Sequence, residues 1–269
     1  MLKFNGVELG LKQFPNGETL INGDEILTHM ADFNTIAWKY ENDGDLVKLM
    51  FVKSYLDDRR VKCTLTVYYL PYSRMDRVEG TSAFTLKYTA AFLNSLNFES
   101  VTIIEPHSDV SLALIDRSIG KYPTIQLLER VAAEVGFQAE QDYLFFPDAG
   151  AQKRYSKVQG YKQLVGFKAR DFQTGQIKSL EVVGNVERTG FKAIIVDDLC
   201  SYGGTFMLSA EKLKEIGASQ IYLLVGHCEN SIYKGKILES DLIDKVYTTD
   251  TILSQAGHEK IHVYEMGGL

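Results

Sequence analysis

The sequence predicts an α/β protein with mostly parallel sheets, and three observations carry that prediction. Short, nearly all-apolar runs recur at residues 64–70, 101–104, 193–196 and 221–225, as in strands covered on both faces. Patterns of helical period lie between them at 83–96 and 206–216. The alternation of strand, helix and strand calls for right-handed crossovers within a sheet.

Taken in order, residues 1–12 alternate polar and apolar positions without an uninterrupted apolar core, so no signal peptide is expected. The run Thr-Leu-Thr-Val-Tyr-Tyr-Leu at 64–70 is β-branched and aromatic, and stops at Pro71. The 83–96 pattern is apolar at Ala83, Leu86, Ala90 and Leu93, with Thr81 or Ser82 as its N-cap. The run 101–104 stops at Glu105-Pro106-His107. A lobe boundary is placed near Tyr122 and Pro123, giving lobes 1–122 and 123–269. Segment 167–188 is polar and glycine-containing, and reads as a long hairpin or mobile loop. The run 193–196 is expected to stop at Asp197-Asp198, and 221–225 at Gly226-His227. The 206–216 pattern puts Met207, Ala210, Leu213 and Ile216 on one stripe, with Gly217 as its C-terminal cap. His227 receives no role beyond ending a strand.

Composition narrows the function. With 269 residues and 45% hydrophobic content, the chain can bury a sizeable core. A formal net charge of −6 without a run of Lys or Arg makes nucleic acid and acidic membranes poor partners. Cys63, Cys200 and Cys228 are scattered, as reduced thiols of a cytoplasmic protein are. No apolar run is long enough for a membrane span.

The chemistry concentrates at 193–206, Ala-Ile-Ile-Val-Asp-Asp-Leu-Cys-Ser-Tyr-Gly-Gly-Thr-Phe. Ligands of open α/β sheets bind beyond the carboxyl ends of strands. Two adjacent acids there, Asp197 and Asp198, can grip vicinal hydroxyls or hold Mg²⁺ directly or through water. Gly203 and Gly204 let backbone N–H groups approach a phosphate, and Thr205 adds a hydroxyl at a helix start. A hydroxylated, phosphorylated small molecule is the expected ligand. The bland alternative is a plain strand–turn–helix junction. No GxxxxGK[ST] loop is present.

This stretch resembles the phosphoribosyl-diphosphate motif shared by phosphoribosyltransferases and ribose-phosphate diphosphokinases. Further matches favour the second family, in family order. Phe14-Pro15-Asn16-Gly17-Glu18 resembles its FxDGE, and Pro71-Tyr72-Ser73-Arg74-Met75-Asp76-Arg77 its PYxRQDR. Glu105-Pro106-His107 resembles its DLH, Pro147-Asp148-Ala149-Gly150 its PDxGG, and Lys168-Ala169-Arg170 its KRR. The resemblance implies two phosphoribosyltransferase-like lobes, each a mostly parallel sheet flanked by helices. It implies that ATP passes a diphosphoryl group to the anomeric hydroxyl of a ribose phosphate, with Mg²⁺ as cofactor. Phe14, Asn16, Glu18, Arg74, Met75, Asp76 and His107 then match the ATP-site positions, and His107 and Asp148 the metal-associated ones. Lys168 and Arg170 match the catalytic loop cations. Asp197 and Asp198 match the ribose-hydroxyl acids, and Ser201, Tyr202, Gly203, Gly204 and Thr205 the phosphate cup. The family shares its adenine site between subunits, which implies a dimer or larger homo-oligomer.

Each match also has a plainer reading. Asn16-Gly17 is a hairpin turn signal. Arg74, Asp76 and Arg77 can form a surface ion-pair cluster. Lys168 and Arg170 can lie on a solvated face.

The chain also departs from the family pattern. Ser201 stands where DDxxDTGGT has its third acid, Tyr202 where it has a threonine, and Met75 where RQD has glutamine. Tyr202 points to an acceptor extended beyond its 5-phosphate, such as ADP-ribose and hence NAD metabolism, beside ribose 5-phosphate. A phosphoribosyltransferase and a non-catalytic diphosphokinase partner subunit are the competing readings.

Overall fold

The computed structural model describes residues 1–170, 177–253 and 256–268, except for the side chains of 168–170, 177–179 and 268. The chain folds as two compact units, Met1–Tyr122 and Pro123–Leu269.

In the first unit, β1 (Leu2–Phe4) and β2 (Val7–Glu8) form an antiparallel edge. β3 (Lys12–Gln13) and β4 (Thr19–Leu20) make a separate two-stranded ribbon. α1 (Gly23–Thr28) starts on Asn22, whose side chain accepts from the Asp24 and Glu25 amides. There follow β5 (Thr35–Trp38), α2 (Gly44–Asp58), β6 (Thr64–Val67), α3 (Thr85–Ser95), β7 (Val101–Ile104), α4 (Asp109–Leu114) and β8 (Ser118–Lys121). The sheet order is β2-β1-β5-β6-β7-β8, parallel from β5 to β8. Its core includes Trp38, Leu49, Val52, Leu65, Leu86, Leu93 and Ile103.

Two sequence expectations shift here. β6 ends at Val67 rather than residue 70. The Tyr68 amide still bonds the Trp38 carbonyl, and the chain then turns at Pro71. α3 begins at Thr85, and its N-cap position, Phe84, makes no side-chain cap bond. Ser82 bonds the backbone of Glu79 and closes a turn ahead of the helix instead.

The second unit opens with α5 (Pro123–Glu134), proline occupying the first turn, where no amide partner is lost. Next come β9 (Tyr143–Phe146), α6 (Ala149–Arg154), β10 (Lys162–Arg170), β11 (Ile177–Val183), β12 (Phe191–Cys200), α7 (Gly204–Glu215), β13 (Ala218–Cys228), a 3₁₀ turn (Asn230–Lys234), β14 (Lys245–Thr249), β15 (Ile261–Tyr264) and a second 3₁₀ turn (Met266–Gly268). The sheet order is β11-β10-β9-β12-β13-β14-β15, and every pairing except β10 with β11 is parallel. β10 and β11 form the hairpin expected around 167–188.

Alternate residues of the central strands feed two layers, as the two-residue period requires. Ile194 and Val196 join Leu127, Val131, Ala151 and Tyr155. Ala193 and Ile195 join Phe206, Ala210 and Leu213 of α7. α7 ends at Glu215, with Ile216 at its C-cap position and Gly217 next at φ 103°.

β12 and β13 run past their expected stops. β12 carries both acids as strand residues and ends at Cys200, because β13 pairs alongside it as far as Cys228. The sequence marks a strand end by the first polar residue. The ladder continues wherever a neighbour supplies backbone partners. All three cysteines are buried free thiols.

Candidate active site

The second unit's sheet reverses its strand order between β9 and β12, the position where open α/β sheets gather their ligands. β9 delivers Pro147 and then Asp148, which caps α6 by accepting from the Ala151 amide at 3.0 Å. β12 delivers Asp197 and Asp198, then the turn into α7.

Arg154, the last residue of α6, closes this group. Its Nη1 donates to Asp198 Oδ1 at 3.0 Å and Asp197 Oδ1 at 3.2 Å. The three side chains are only 12%, 7% and 16% exposed, in the order Arg154, Asp198, Asp197. Burial and the adjacent Asp198 charge push the Asp197 carboxyl well above its ordinary value, while Arg154 acts in the opposite direction.

The turn after β12 has little room for side chains. Gly203 lies at φ 82°, and a Cβ there would sit 2.1 Å from Ile237 Cδ1. Gly204 is the first residue of α7, one position ahead of the expected Thr205. A Cβ on Gly204 would meet nothing within 4 Å, so its backbone faces open space. Thr205 is half-buried and Tyr202 is 58% exposed. Ser201 Oγ lies 3.0 Å from Ser231 Oγ.

The first unit carries the other predicted positions. Phe14, Asn16 and Glu18 sit on the loop of the β3–β4 ribbon, all exposed. Asn16 and Glu18 bond each other, and the Phe14 amide bonds the Glu18 carbonyl. The hairpin reading of Asn16-Gly17 therefore holds, and the loop is presented outward. Parallel β6 and β7 direct their C-terminal segments to one edge. There buried Asp76 accepts from Arg77 Nε and Ser108 Oγ, both at 2.7 Å. Burial opposes ionisation of Asp76, but bonds from Arg77 and Ser108 and the neighbouring charges of Arg77 and His107 hold its carboxyl below the usual value. Asp76 and Arg77 do pair, but Asp76 is buried rather than part of a surface cluster, and it is anchored to Ser108 beside His107. Arg74 and Met75 are exposed beside it, Met75 Sδ accepting from Thr85 Oγ1. Tyr72, at φ 64°, and Tyr40 both donate to Asp43, which tethers this segment.

Lys168 and Arg170 lie on β10 at the hairpin; their backbone is described and their side chains are outside the described residues. His227 is buried within β13, its Nδ1 2.7 Å from Thr251 Oγ1. The sequence reading missed Arg154, Ser231 and Glu229. Arg154 had a signal: two acids on a buried strand require a cation.

Among the described residues no three His, Cys, Asp or Glu groups cluster as a ready-made metal cage. The hard oxygens of Asp148, Asp197 and Asp198 nonetheless suit magnesium, which commonly takes one or two carboxylates and completes its shell with phosphates and water. No described helix is long and apolar enough to cross a membrane.

An acid pair and a glycine turn on the central strand of a switch-point sheet define a phosphoribosyltransferase-type α/β lobe. The comparisons extend this to the whole chain. Residues 153–265 match the phosphoribosyl synthetase-associated domain. The chain is 26% identical over 257 residues to a ribose-phosphate pyrophosphokinase of Thermococcus kodakarensis, covering 91% of this chain and 86% of that protein. It is 28% identical over 256 residues to one of Sulfolobus acidocaldarius, covering 91% and 85%. The crystal structure of phosphoribosylpyrophosphate synthetase from Mycobacterium smegmatis superposes with a TM-score of 0.75 at 17% identity, over 97% of this chain and 87% of that one. The chain is thus similar to ribose-phosphate pyrophosphokinases over about nine-tenths of its length.

Proposed function

We propose that this protein transfers the β,γ-diphosphoryl group of ATP to the anomeric hydroxyl of a ribose phosphate and releases AMP. The observation that carries the reading is the switch-point cluster: Asp197 and Asp198, bridged by Arg154, one turn ahead of a glycine loop that opens a twelve-residue helix. The acids suit the ribose hydroxyls, and the amides of Gly203, Gly204 and Thr205 suit a phosphate.

In the reaction the anomeric oxygen bonds the β-phosphorus, the bond from that phosphorus to the α,β-bridging oxygen breaks, and AMP leaves with the bridging oxygen. The hydroxyl proton passes to solvent. Such a transfer needs alignment and charge neutralisation more than covalent catalysis. Lys168 and Arg170 would offset charge on the transferring group. Arg74, Met75, Asp76 and His107 would line the ATP site. Phe14, Asn16 and Glu18, on an outward-facing ribbon, would reach the adenine of a neighbouring subunit, so the protein would act as a homo-oligomer in the cytoplasm. His107, in the first unit, and Asp148, in the second, are each candidate Mg²⁺ ligands, and the ion would supply neutralisation of the ATP phosphates when bound.

One feature supports a larger acceptor than ribose 5-phosphate. Tyr202 exposes its ring at the phosphate turn, where it could stack on a group attached beyond the phosphate. ADP-ribose, giving its diphosphate, is the candidate for such an acceptor, beside ribose 5-phosphate giving phosphoribosyl diphosphate. Purified protein with ATP and Mg²⁺, offered each acceptor in turn, tests the choice. Efficient AMP release with ribose 5-phosphate and none with ADP-ribose removes the extended-acceptor reading.

A further inference from the structure

β12 and β13 leave the sheet side by side at Cys200 and Cys228. The chain after β13 folds straight back onto the sugar-phosphate turn. The Glu229 amide donates to the Cys200 carbonyl at 2.8 Å. A Cβ on Gly235 would lie 2.0 Å from the Tyr202 carbonyl oxygen, so the 3₁₀ turn Asn230–Lys234 is seated against residues 201–203 with no room between. Within this contact Ser231 Oγ donates to Glu229 Oε2 at 3.0 Å and lies 3.0 Å from Ser201 Oγ.

The proton count fixes the direction of this chain. A hydroxyl has one proton, and an ionised carboxylate only accepts. Ser231 gives its proton to Glu229, so the Ser201–Ser231 bond takes its proton from Ser201. What Ser201 has left for a ligand is lone pairs. A phosphate dianion offers only acceptor oxygens, and two acceptors do not bond. A sugar hydroxyl can donate.

We propose that Glu229, acting through Ser231, sets Ser201 as a hydrogen-bond acceptor that reads a hydroxyl of the ribose acceptor, leaving the phosphate to the amides of Gly203, Gly204 and Thr205. Ser201 thereby presents the polarity of a carboxylate without its charge, at the position where the family pattern carries its third acid. Ser201 is a specificity residue and Glu229 a positioning residue. The inference rests on reading this turn as a ribose-phosphate site.

The test is calorimetric binding of ribose 5-phosphate and its 2-deoxy and 3-deoxy analogues to the full-length wild type, Ser201→Ala, Ser231→Ala and Glu229→Gln, with AMP formation measured in parallel. Ser201→Ala should weaken ribose 5-phosphate about 3- to 10-fold, the span of one neutral hydrogen bond. It should leave unchanged the analogue lacking the hydroxyl that Ser201 reads. Glu229→Gln lets an amide donate to Ser231 and reverses the chain, so it should weaken the parent sugar similarly with a thermal midpoint close to wild type. Equal weakening of all three sugars by Ser201→Ala overturns the proposal, as does tighter binding in Glu229→Gln, since either makes Ser201 a phosphate donor. Absence of both sugar binding and AMP formation in the wild type would overturn the functional reading and the relay together. AMP formation with uniform Ser201→Ala losses would overturn the relay alone.

Discussion

Replacing Arg154 with methionine keeps most of the side-chain stem and removes the charge between Asp197 and Asp198. Arg154 is 12% exposed and its partners 16% and 7%, so the pair belongs with buried ion pairs. Taking one partner from a buried pair costs about 3–5 kcal/mol, because the remaining charge is stranded. An exposed pair costs about 0–1 kcal/mol. The expected loss lowers the unfolding midpoint on the order of 10 °C for a unit of this size. Urea unfolding followed by circular dichroism measures it. A double-mutant cycle with Asp197→Asn separates the charge effect from the packing of the stem near Tyr155. In the double variant one stranded charge is gone, so part of the stability returns. A loss below about 1 kcal/mol, the surface-pair range, with additive single effects would refute the claim that Arg154 holds the acid pair as a buried ion pair.

Three further outcomes are expected. Asp197→Asn should stabilise the fold while abolishing acceptor binding. The raised Asp197 carboxyl means that the folded state binds more protons than the unfolded state, from the ordinary value of 3.8 up to the folded value. Wild-type stability from this group therefore falls as pH rises through that window. The advantage of Asn should be present at neutral pH and vanish near pH 4 in paired urea titrations, and a constant difference across pH would count against it. Gly203→Ala combines φ 82° with a 2.1 Å approach to Ile237 Cδ1, so it should weaken acceptor binding and destabilise by about 1–3 kcal/mol. Adding Ile237→Ala should recover only the steric part, as calorimetry and unfolding can show. Lys168→Ala should lower kcat far more than it weakens acceptor binding, and an unchanged kcat removes Lys168 from the catalytic group.

Much of the central architecture was legible because it is local. The apolar run at 101–104 is a strand to the residue, and the 206–216 stripe is α7 with its cap glycine. The acids and glycines of the turn could be read because they follow one another within a single strand end and helix start. Non-local features were hidden. β12 and β13 run through polar residues because each completes the other's ladder. α2 carries Leu46, Val47, Leu49, Met50, Phe51 and Val52 around its circumference, so it has no single apolar stripe to announce it. Arg154 and Asp197 are 43 residues apart, and Ser201 and Ser231 are 30 apart. Only the parallel sheet, which returns each strand's end to one edge, brings such residues into contact.

The central claim is transfer of the diphosphoryl group. Incubation with ATP labelled at the γ-phosphorus, Mg²⁺ and the ribose phosphate that turns over tests it most directly. The expected result is label in a diphosphorylated sugar and one AMP for each product formed, with Asp198→Asn abolishing both. ADP as the nucleotide product, or sugar turnover without ATP, would contradict it.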